Sequence, residues 1–284
     1  MKLSDRHALF ADLHKTGCFV MPNPWDRGSA RMMAASGAVA LATTSAGHAF
    51  TLGRADMGGV TRDEALAHAQ DIISTTNLPV SGDFENGFGD DPDTVAETIR
   101  LAAEVGLSGC GIEDMGFEDG LNAYDFDLTV ERIRAAVAAV RALGRPFVLT
   151  ARADGVMNGL YDLGEGIRRL QALEAAGADC LYLPVPPGRA ELAQVLGAVT
   201  APVNALSVGP LQDLSLAELT AMGVRRISLG SQIARVTHAA IRDAMGGVMA
   251  GDFTVLKGSA SGDEIDAMLQ EGCADDRDFG PQGP

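Results

Sequence analysis

The chain has 284 residues, 46% of them hydrophobic and 21% charged, so a large buried core is available and global disorder is excluded. Its 22 basic residues against 38 acidic ones leave a formal charge of −16, which excludes the broad basic surface that nucleic acid requires. A prior of about 150 residues per domain suggests two domains at this length, but one α/β barrel of about 250 residues fits as well.

The N-terminal stretch MKLSDRHALFADLHKTG carries charges throughout and lacks the apolar core of a secretory signal, and no uncharged apolar run reaches membrane-spanning length. Cys18, Cys110, Cys180 and Cys273 form no CxxC and no pairing with His, so neither a zinc site nor a disulfide framework is indicated. These features predict a cytoplasmic protein that engages neither membrane nor nucleic acid.

Short β-type apolar runs recur at 18–21, 39–43, 78–81, 109–113, 147–151, 180–183, 202–206 and 226–229. Between them, apolar residues at i, i+3 and i+4 predict helices, among them 94–105, 129–143, 163–176 and 216–222. Several helices stop in a small-residue turn just before a strand (AASGAVAL, EVGLSGCGI, EAAGADCLYL, TAMGVRRISL), as expected of glycine in a left-handed C-cap. Short, largely apolar strands alternating with helices eight times predict parallel strands buried on both faces, and hence a (β/α)8 barrel. A doubly wound open sheet is the alternative, but it would usually place a Gly-rich phosphate turn after the first strand, and PNPWDRGSA lacks one. Beyond the eighth strand, 231–249, 253–256 and 263–269 read as further helices. The expected organisation is a single barrel domain over 1–284, with a helical extension at 231–272 of the kind that packs on a neighbouring subunit and a polar tail at 273–284.

In such a barrel the active site lies at the carboxyl ends of the strands. There the third strand exits into GDFENGFGD, the fourth into GIEDMGFEDG and the fifth into TARADGVMNG. If the third strand runs on, Asp83 and Glu85 face one side, and Glu113 and Asp114 bring four carboxyl groups to one corner of the barrel mouth. Carboxylates packed in this way raise one another's pKa unless a divalent cation holds them. Oxygen donors without His or Cys select Mg2+, with Mn2+ as the alternative. The competing reading of DFENGFGD is an acidic surface loop.

Taken together, NPWDRGSAR, TTSAG, GRADMGG, GDFENGFG, GIEDM and TARADG, in this order within residues 15–240, resemble the isocitrate lyase/phosphoenolpyruvate mutase superfamily. The resemblance implies a (β/α)8 barrel, often a tetramer that exchanges its last helices between subunits, and a Mg2+ site for the 2-oxo or enol carboxylate of a small acid. By position, Asp83 matches the direct metal ligand, Glu85 and Glu113 the acids that hold the ion's waters, and Asp56 an acid near the same site. Arg152 matches the arginine that neutralises substrate charge; the alternative is a strand-end arginine paired with Asp154. Thr44, Ser45, Ala46 and Gly47 fall in the loop whose N–H groups and hydroxyl bind the substrate carboxylate, a small-residue turn able to form an anion nest.

Trp25 and Asp26 match a signature after the first strand, with Trp25 serving either in packing or as a pocket wall. Asn204 is a barrel-mouth hydrogen bonder or a structural residue. His48 is an acid or base or a rim residue, and His238 is structural or interfacial. The candidate catalytic residues are therefore Arg152, Asp56 and Glu113; the candidate substrate contacts are Trp25, Thr44, Ser45, Ala46, Gly47, Arg152 and Asn204; the candidate metal contacts are Asp83, Glu85 and Glu113.

Isocitrate and methylisocitrate lyases carry a Lys/Cys/Gly/His run beyond the fourth strand whose Cys is a general acid. Here that region reads MGFEDGLNAYDFDL, without Lys, Cys or His, which argues against those two activities. Asn122 matches the Asn of the corresponding phosphonomutase segment poorly. The expected function is a Mg2+-dependent lyase or decarboxylase that cleaves a C–C bond of a small 2-oxo or 2-hydroxy carboxylate through a metal-stabilised enolate, with bound water, Tyr124 or Glu118 as the acid. The alternatives are P–C bond chemistry on a phosphonopyruvate-like substrate (phosphonomutase or hydrolase) and a non-catalytic 2-oxo acid binding barrel. The expected partners are the carboxylate substrate and further copies of the chain, in a homotetramer or homodimer.

Overall fold

The computed structural model describes residues 1–117 and 120–274. Its strands are β1 (Phe19–Met21), β2 (Leu41–Ala42), β3 (Val80–Asp83), β4 (Gly109–Glu113), β5 (Met115–Gly116), β6 (Asn122–Ala123), β7 (Val148–Arg152), β8 (Cys180–Tyr182), β9 (Val203–Leu206) and β10 (Arg226–Ser228). Strands β5 and β6 pair as a small antiparallel hairpin. The other eight form one parallel sheet in the order β1-β10-β9-β8-β7-β4-β3-β2, the expected (β/α)8 arrangement.

Between β1 and β2 the barrel is closed by a few bonds and not by a ladder. The Ala42 N–H donates to the Pro22 carbonyl at 3.1 Å. Buried Asn23 adds a clamp: its Nδ2 donates to the Thr43 carbonyl at 3.0 Å, and its Oδ1 accepts from the N–H groups of Leu229 at 2.8 Å and Gly230 at 3.0 Å.

The helices are α1 (Leu3–Leu13), α2 (Arg27–Ala35), α3 (Ser45–Thr51), α4 (Arg62–Thr75), α5 (Pro92–Glu104), α6 (Phe126–Ala142), α7 (Leu163–Ala176), α8 (Arg189–Ala198), α9 (Leu216–Met222), α10 (Gln232–Met249) and α11 (Gly262–Glu271). Their ends follow local chemistry. Asp26 with Ser29, Thr61 with Glu64 and Ser215 with Glu218 form reciprocal capping boxes that satisfy first-turn N–H groups of α2, α4 and α9. Gly177 and Gly223 end α7 and α9 at φ of 104° and 101°, where a Cβ would be strained.

The strands are buried on both faces: Leu41, Val80, Cys110, Leu149 and Leu181 are all inaccessible or nearly so. Helix α1 plugs the amino-terminal end of the barrel, with Phe10 set edge-on to Phe19 at 6.5 Å and clustered with Met21, Ala42, Val148 and Cys180. Gly109 makes room for it, since a Cβ there would lie 2.9 Å from the Phe10 ring and 2.4 Å from the Val148 oxygen.

Helix α10 leaves Val236, Ile241, Met245 and Met249 exposed. A 3-10 turn spans Phe253–Gly258, and α11 packs on α2 of its own chain. Most of the expected polar tail, 275–284, lies outside the described residues. Among the described residues no helix is long and apolar enough to cross a membrane.

Candidate active site

Successive inward side chains of adjacent strands meet at the carboxyl end of β3, β4 and β7. Asp83 closes β3, Glu113 closes β4 and Arg152 closes β7, and strand register sets Glu113 directly opposite Arg152. The Arg152 guanidinium reaches Asp83 Oδ1 at 2.6 Å, Glu113 Oε2 at 2.9 Å and Asp154 Oδ2 at 2.5 Å. It also stands over the Tyr182 ring at 5.1 Å. Arg152 is therefore paired with Asp154, as the simpler sequence reading has it, and with two further acids as well. Burial works against its charge, yet Asp154, Glu113 and Asp83 together push its pKa well up. Burial raises Glu113, with Arg152 opposing. Asp56 is raised by burial and then by the charge of Asp83.

Two expectations about the acids need correction. Strand β3 ends at Asp83, so Glu85 does not follow it by strand alternation; it sits at a left-handed φ of 45°. It is nonetheless buried beside the cluster, with both carboxylate oxygens 3.3 Å from the Gly58 N–H. Burial, reinforced by Asp83 and Asp56, pushes its pKa up to about 7.

Asp114 does not join the corner at all. It follows Glu113 by one residue and so faces the opposite side, where Oδ2 accepts from Tyr161 at 2.7 Å and Arg169 at 2.9 Å and Oδ1 from the Asp154 N–H at 2.8 Å. With Asp114 1% exposed, Arg169→Met leaves a buried carboxylate unpaired and should cost about 3–5 kcal/mol, measured by urea denaturation at neutral pH.

The loop at 44–47 is also different from a simple turn: it opens α3. Thr44 caps the helix, its Oγ1 accepting from the Gly47 N–H at 3.2 Å. The Ser45 N–H and hydroxyl hold Asp83 Oδ2 at 2.9 and 2.8 Å. Among the described residues only Ala46 of the α3 positions 45–47 has no acceptor for its N–H, which leaves one donor free at the mouth.

A cavity of about 240 Å3 lies above and within the barrel end, lined by Thr44, Ser45, Ala46, Asp56, Asp83, Arg152 and Asn204 among others. Trp25 and Gly47, both expected at the substrate, are not on its wall. Trp25 is half-buried on an outer groove with Met32 and Met33, because the chain after β1 turns outward into α2; Gly47 packs behind the loop, where a Cβ would meet Thr44 and Trp25. Asp26 caps α2.

His48 stacks on His68 at 3.9 Å with both ring nitrogens buried and unpartnered, and burial lowers its pKa. His238 meets Phe50 edge-on. Tyr124 is not available as an acid: its hydroxyl donates to Asp90 and accepts from Asn86, its ring lies under Arg132, and it is absent from the cavity wall. Exposed Asn122 bonds the Gly120 carbonyl on the hairpin. Glu118 lies outside the described residues.

Sequence reading missed Tyr182, Met157, Val185, Gln232 and Arg235, which all line the cavity. Gln232 and Arg235 were assigned to the helical extension, although the first turn after the last strand of a barrel borders the mouth by construction.

The donor set fits a hard divalent cation. Asp83, Glu113 and Asp154 contact one guanidinium with Asp56 and Glu85 nearby, and burial first, then the neighbouring carboxylates, raises the pKa of Asp56, Glu85 and Glu113. Among the described residues no three acidic, His or Cys side chains converge tightly enough to chelate an ion by themselves. Mg2+, which binds through one or two carboxylates and retains waters, does not require such a cluster. Asp83 and Asp56 face the cavity, and Glu85 and Glu113 stand behind them.

The chain matches the phosphoenolpyruvate phosphomutase family over residues 10–249. A solved structure from Burkholderia cenocepacia J2315, described only as a lyase or mutase, is 46% identical, with a TM-score of 0.89 over 93% of this chain and 95% of the other. The structure of a 2,3-dimethylmalate lyase is 29% identical, with a TM-score of 0.82 over 94% of this chain and 93% of the other. The oxaloacetate decarboxylase of Paraburkholderia xenovorans (strain LB400) is 29% identical over 267 residues, 91% of this chain and 87% of that protein. With the family match spanning the barrel and the strand-end acids in place, the chain belongs to the phosphoenolpyruvate phosphomutase family, within the PEP mutase/isocitrate lyase superfamily.

Proposed function

We propose that the chain is a Mg2+-dependent lyase, of the decarboxylase type, that breaks a C–C bond beside the carbonyl of a small 2-oxo or 2-hydroxy carboxylate. The observation that carries this reading is Arg152 held among Asp83, Glu113 and Asp154 at the wall of a cavity of about 240 Å3, large enough for a short acid only. Asp83 would hold the ion directly, with Asp56, Glu85 and Glu113 holding its waters. When bound, Mg2+ supplies Lewis-acid stabilisation of the negative charge that develops on the carbonyl oxygen.

The remaining work falls to the chain's own groups. The Ala46 N–H receives the substrate carboxylate at the start of α3, while the Ser45 N–H and hydroxyl hold Asp83. Arg152, fixed by three acids, keeps its guanidinium in place for the enolate charge without reorganisation. Arg235, at the mouth, offsets the field of a strongly anionic chain for an entering anion. Met157, Val185 and Val208 present apolar surface that excludes water from the far wall. With Tyr124 tied elsewhere, bound water or Glu118 is the proton source. Decarboxylation suits that arrangement, because the bond pair passes into the enolate, CO2 departs and a single proton completes the product.

Steady-state assays with oxaloacetate, a dimethylmalate-type diacid and phosphonopyruvate, each with Mg2+ and with chelator, test the proposal. Turnover of a carbon acid that stops with chelator is the expected result. Turnover of the phosphonate alone would assign P–C chemistry, and Mg2+-dependent binding without turnover would make the barrel a sensor.

The same reading includes a homotetramer or homodimer, supported by the exposed apolar residues of α10 and checked by light scattering. It also includes a cytoplasmic location, in keeping with cysteines that form no disulfide among the described residues.

A further inference from the structure

Arg226 opens β10 with its side chain inside the barrel and is 3% exposed. Its Nε donates to Asn204 Oδ1 at 2.8 Å, Nη2 to Thr150 Oγ1 at 3.0 Å and Nη1 faces His14 Nε2 at 3.3 Å. None of these partners carries negative charge. His14 Nδ1 is 2.8 Å from the Phe10 carbonyl, which can only accept, so Nδ1 bears the proton and Nε2 accepts from Arg226. Burial and then the Arg226 charge hold His14 down to about 3, which keeps the ring neutral, and burial keeps nearby Cys180 a thiol.

Among the described residues no carboxylate pairs with Arg226, in contrast to Arg152 and Arg169. A buried cation without an anion costs several kcal/mol, and this one persists in a chain rich in acids.

The guanidinium borders the same cavity as the acid cluster, whose wall includes the small or polar residues Ala42, Ser81, Gly111, Thr150, Asn204 and Ser228 beside the bulkier Met21, Tyr182 and Leu206. Barrel interiors are ordinarily filled at this depth by bulky branched side chains. At Gly111 an added Cβ would meet nothing nearer than Arg152 Cδ at 3.4 Å. Thr150 and Arg152 are two residues apart on β7, so Arg226 lies one side-chain layer, about 7 Å, below the Arg152 level. Two of the five guanidinium N–H groups have no partner among the described residues.

We propose that Arg226, with Thr150, Asn204 and Ser228, forms a carboxylate-binding subsite on the barrel floor that takes the distal carboxylate of the substrate. This rests on the reading of the upper cavity as a 2-oxo or 2-hydroxy acid site. Asn204 then acts at the floor: its Nδ2 donates to Ser228 Oγ at 2.8 Å and its oxygen is held by Arg226, which fixes the amide orientation.

Calorimetric titration of the Mg2+-loaded full chain with oxalate, which fills only the upper site, and with malate, which adds a distal carboxylate, tests the subsite. Arg226→Gln should weaken malate at least tenfold and change oxalate less than twofold, and Arg226→Lys should recover part of the malate affinity. Equal weakening of both acids, or of neither, would overturn the subsite, as would chloride competing with malate as effectively as it competes with oxalate. If Arg226→Gln does not fold, a crystal structure of the wild type with Mg2+ and malate decides. A carboxylate within hydrogen-bond distance of the Arg226 guanidinium supports the subsite; malate seated wholly beside Asp83 and Arg152 overturns it. Wild-type protein that binds neither acid would overturn the upper-site reading and the floor subsite together.

Discussion

Asp83→Ala should reduce Mg2+-dependent turnover by about a thousandfold or more while leaving the fold intact. Asp83 supplies the carboxylate that joins Ser45, Arg152 and the cavity; Glu113 is engaged with Arg152, Glu85 faces Gly58, and Asp56, the other acid on the cavity wall, forms no ion pair with Arg152 among the described residues. Its removal takes no volume from the core, since it sits at the end of β3 beside the cavity. In the metal-free variant the lost Arg152 pair and Ser45 bonds oppose the relief of repulsion on Asp56, Glu85 and Glu113, and Arg152 keeps Glu113 and Asp154. Differential scanning calorimetry should therefore show a transition close to that of the wild type, with the upward shift on adding Mg2+ lost. Near-wild-type kcat/KM in this variant would exclude Asp83 as the ligand.

Arg152→Met should have a large, pH-dependent effect on stability. It leaves Asp83, Glu113 and Asp154 without their common cation in a buried setting, at a cost of about 3–5 kcal/mol at pH 8. The pH dependence follows from the direction of the shifts. Burial already raises Glu113 and Asp154 in the folded protein, and removing the guanidinium raises them further. A carboxyl whose folded pKa exceeds its unfolded value leaves stability intact below the unfolded pKa, and that stability is lost as pH rises through the folded one. The variant should therefore approach the wild type near pH 4 and fall progressively behind it toward pH 8, as read from urea midpoints. A constant deficit across that range would mean that Arg152 contributes packing and not charge. Arg152→Lys should retain much of the stability but lose about a hundredfold in kcat/KM, because a point charge cannot hold the acids and a substrate oxygen in one plane.

Local sequence determined the strands, the helices between them and the acidic strand ends, because each depends on spacing over a few residues. Apolar runs of four or five residues make strands, Gly177 and Gly223 stop helices where only a left-handed residue fits, and Asp83, Glu113 and Arg152 follow the last apolar residues of their strands. Where the strands are buried on both faces, the same pattern does not say which side is the inside of the barrel. Only tertiary packing decided that Glu113 turns to Arg152 and Asp114 to Arg169, that Glu85 returns to the cluster through a left-handed turn, and that Trp25 lies outside. Helix α1 and Asn23 show the same limit: each acts on partners distant in sequence, Phe10 on Val148 and Asn23 on Leu229 and Gly230. Arg226 follows from it as well. In the linear chain it is the second of two adjacent arginines at the start of a strand, and only closure of the sheet places its charge at the floor of the cavity, with no carboxylate paired to it among the described residues.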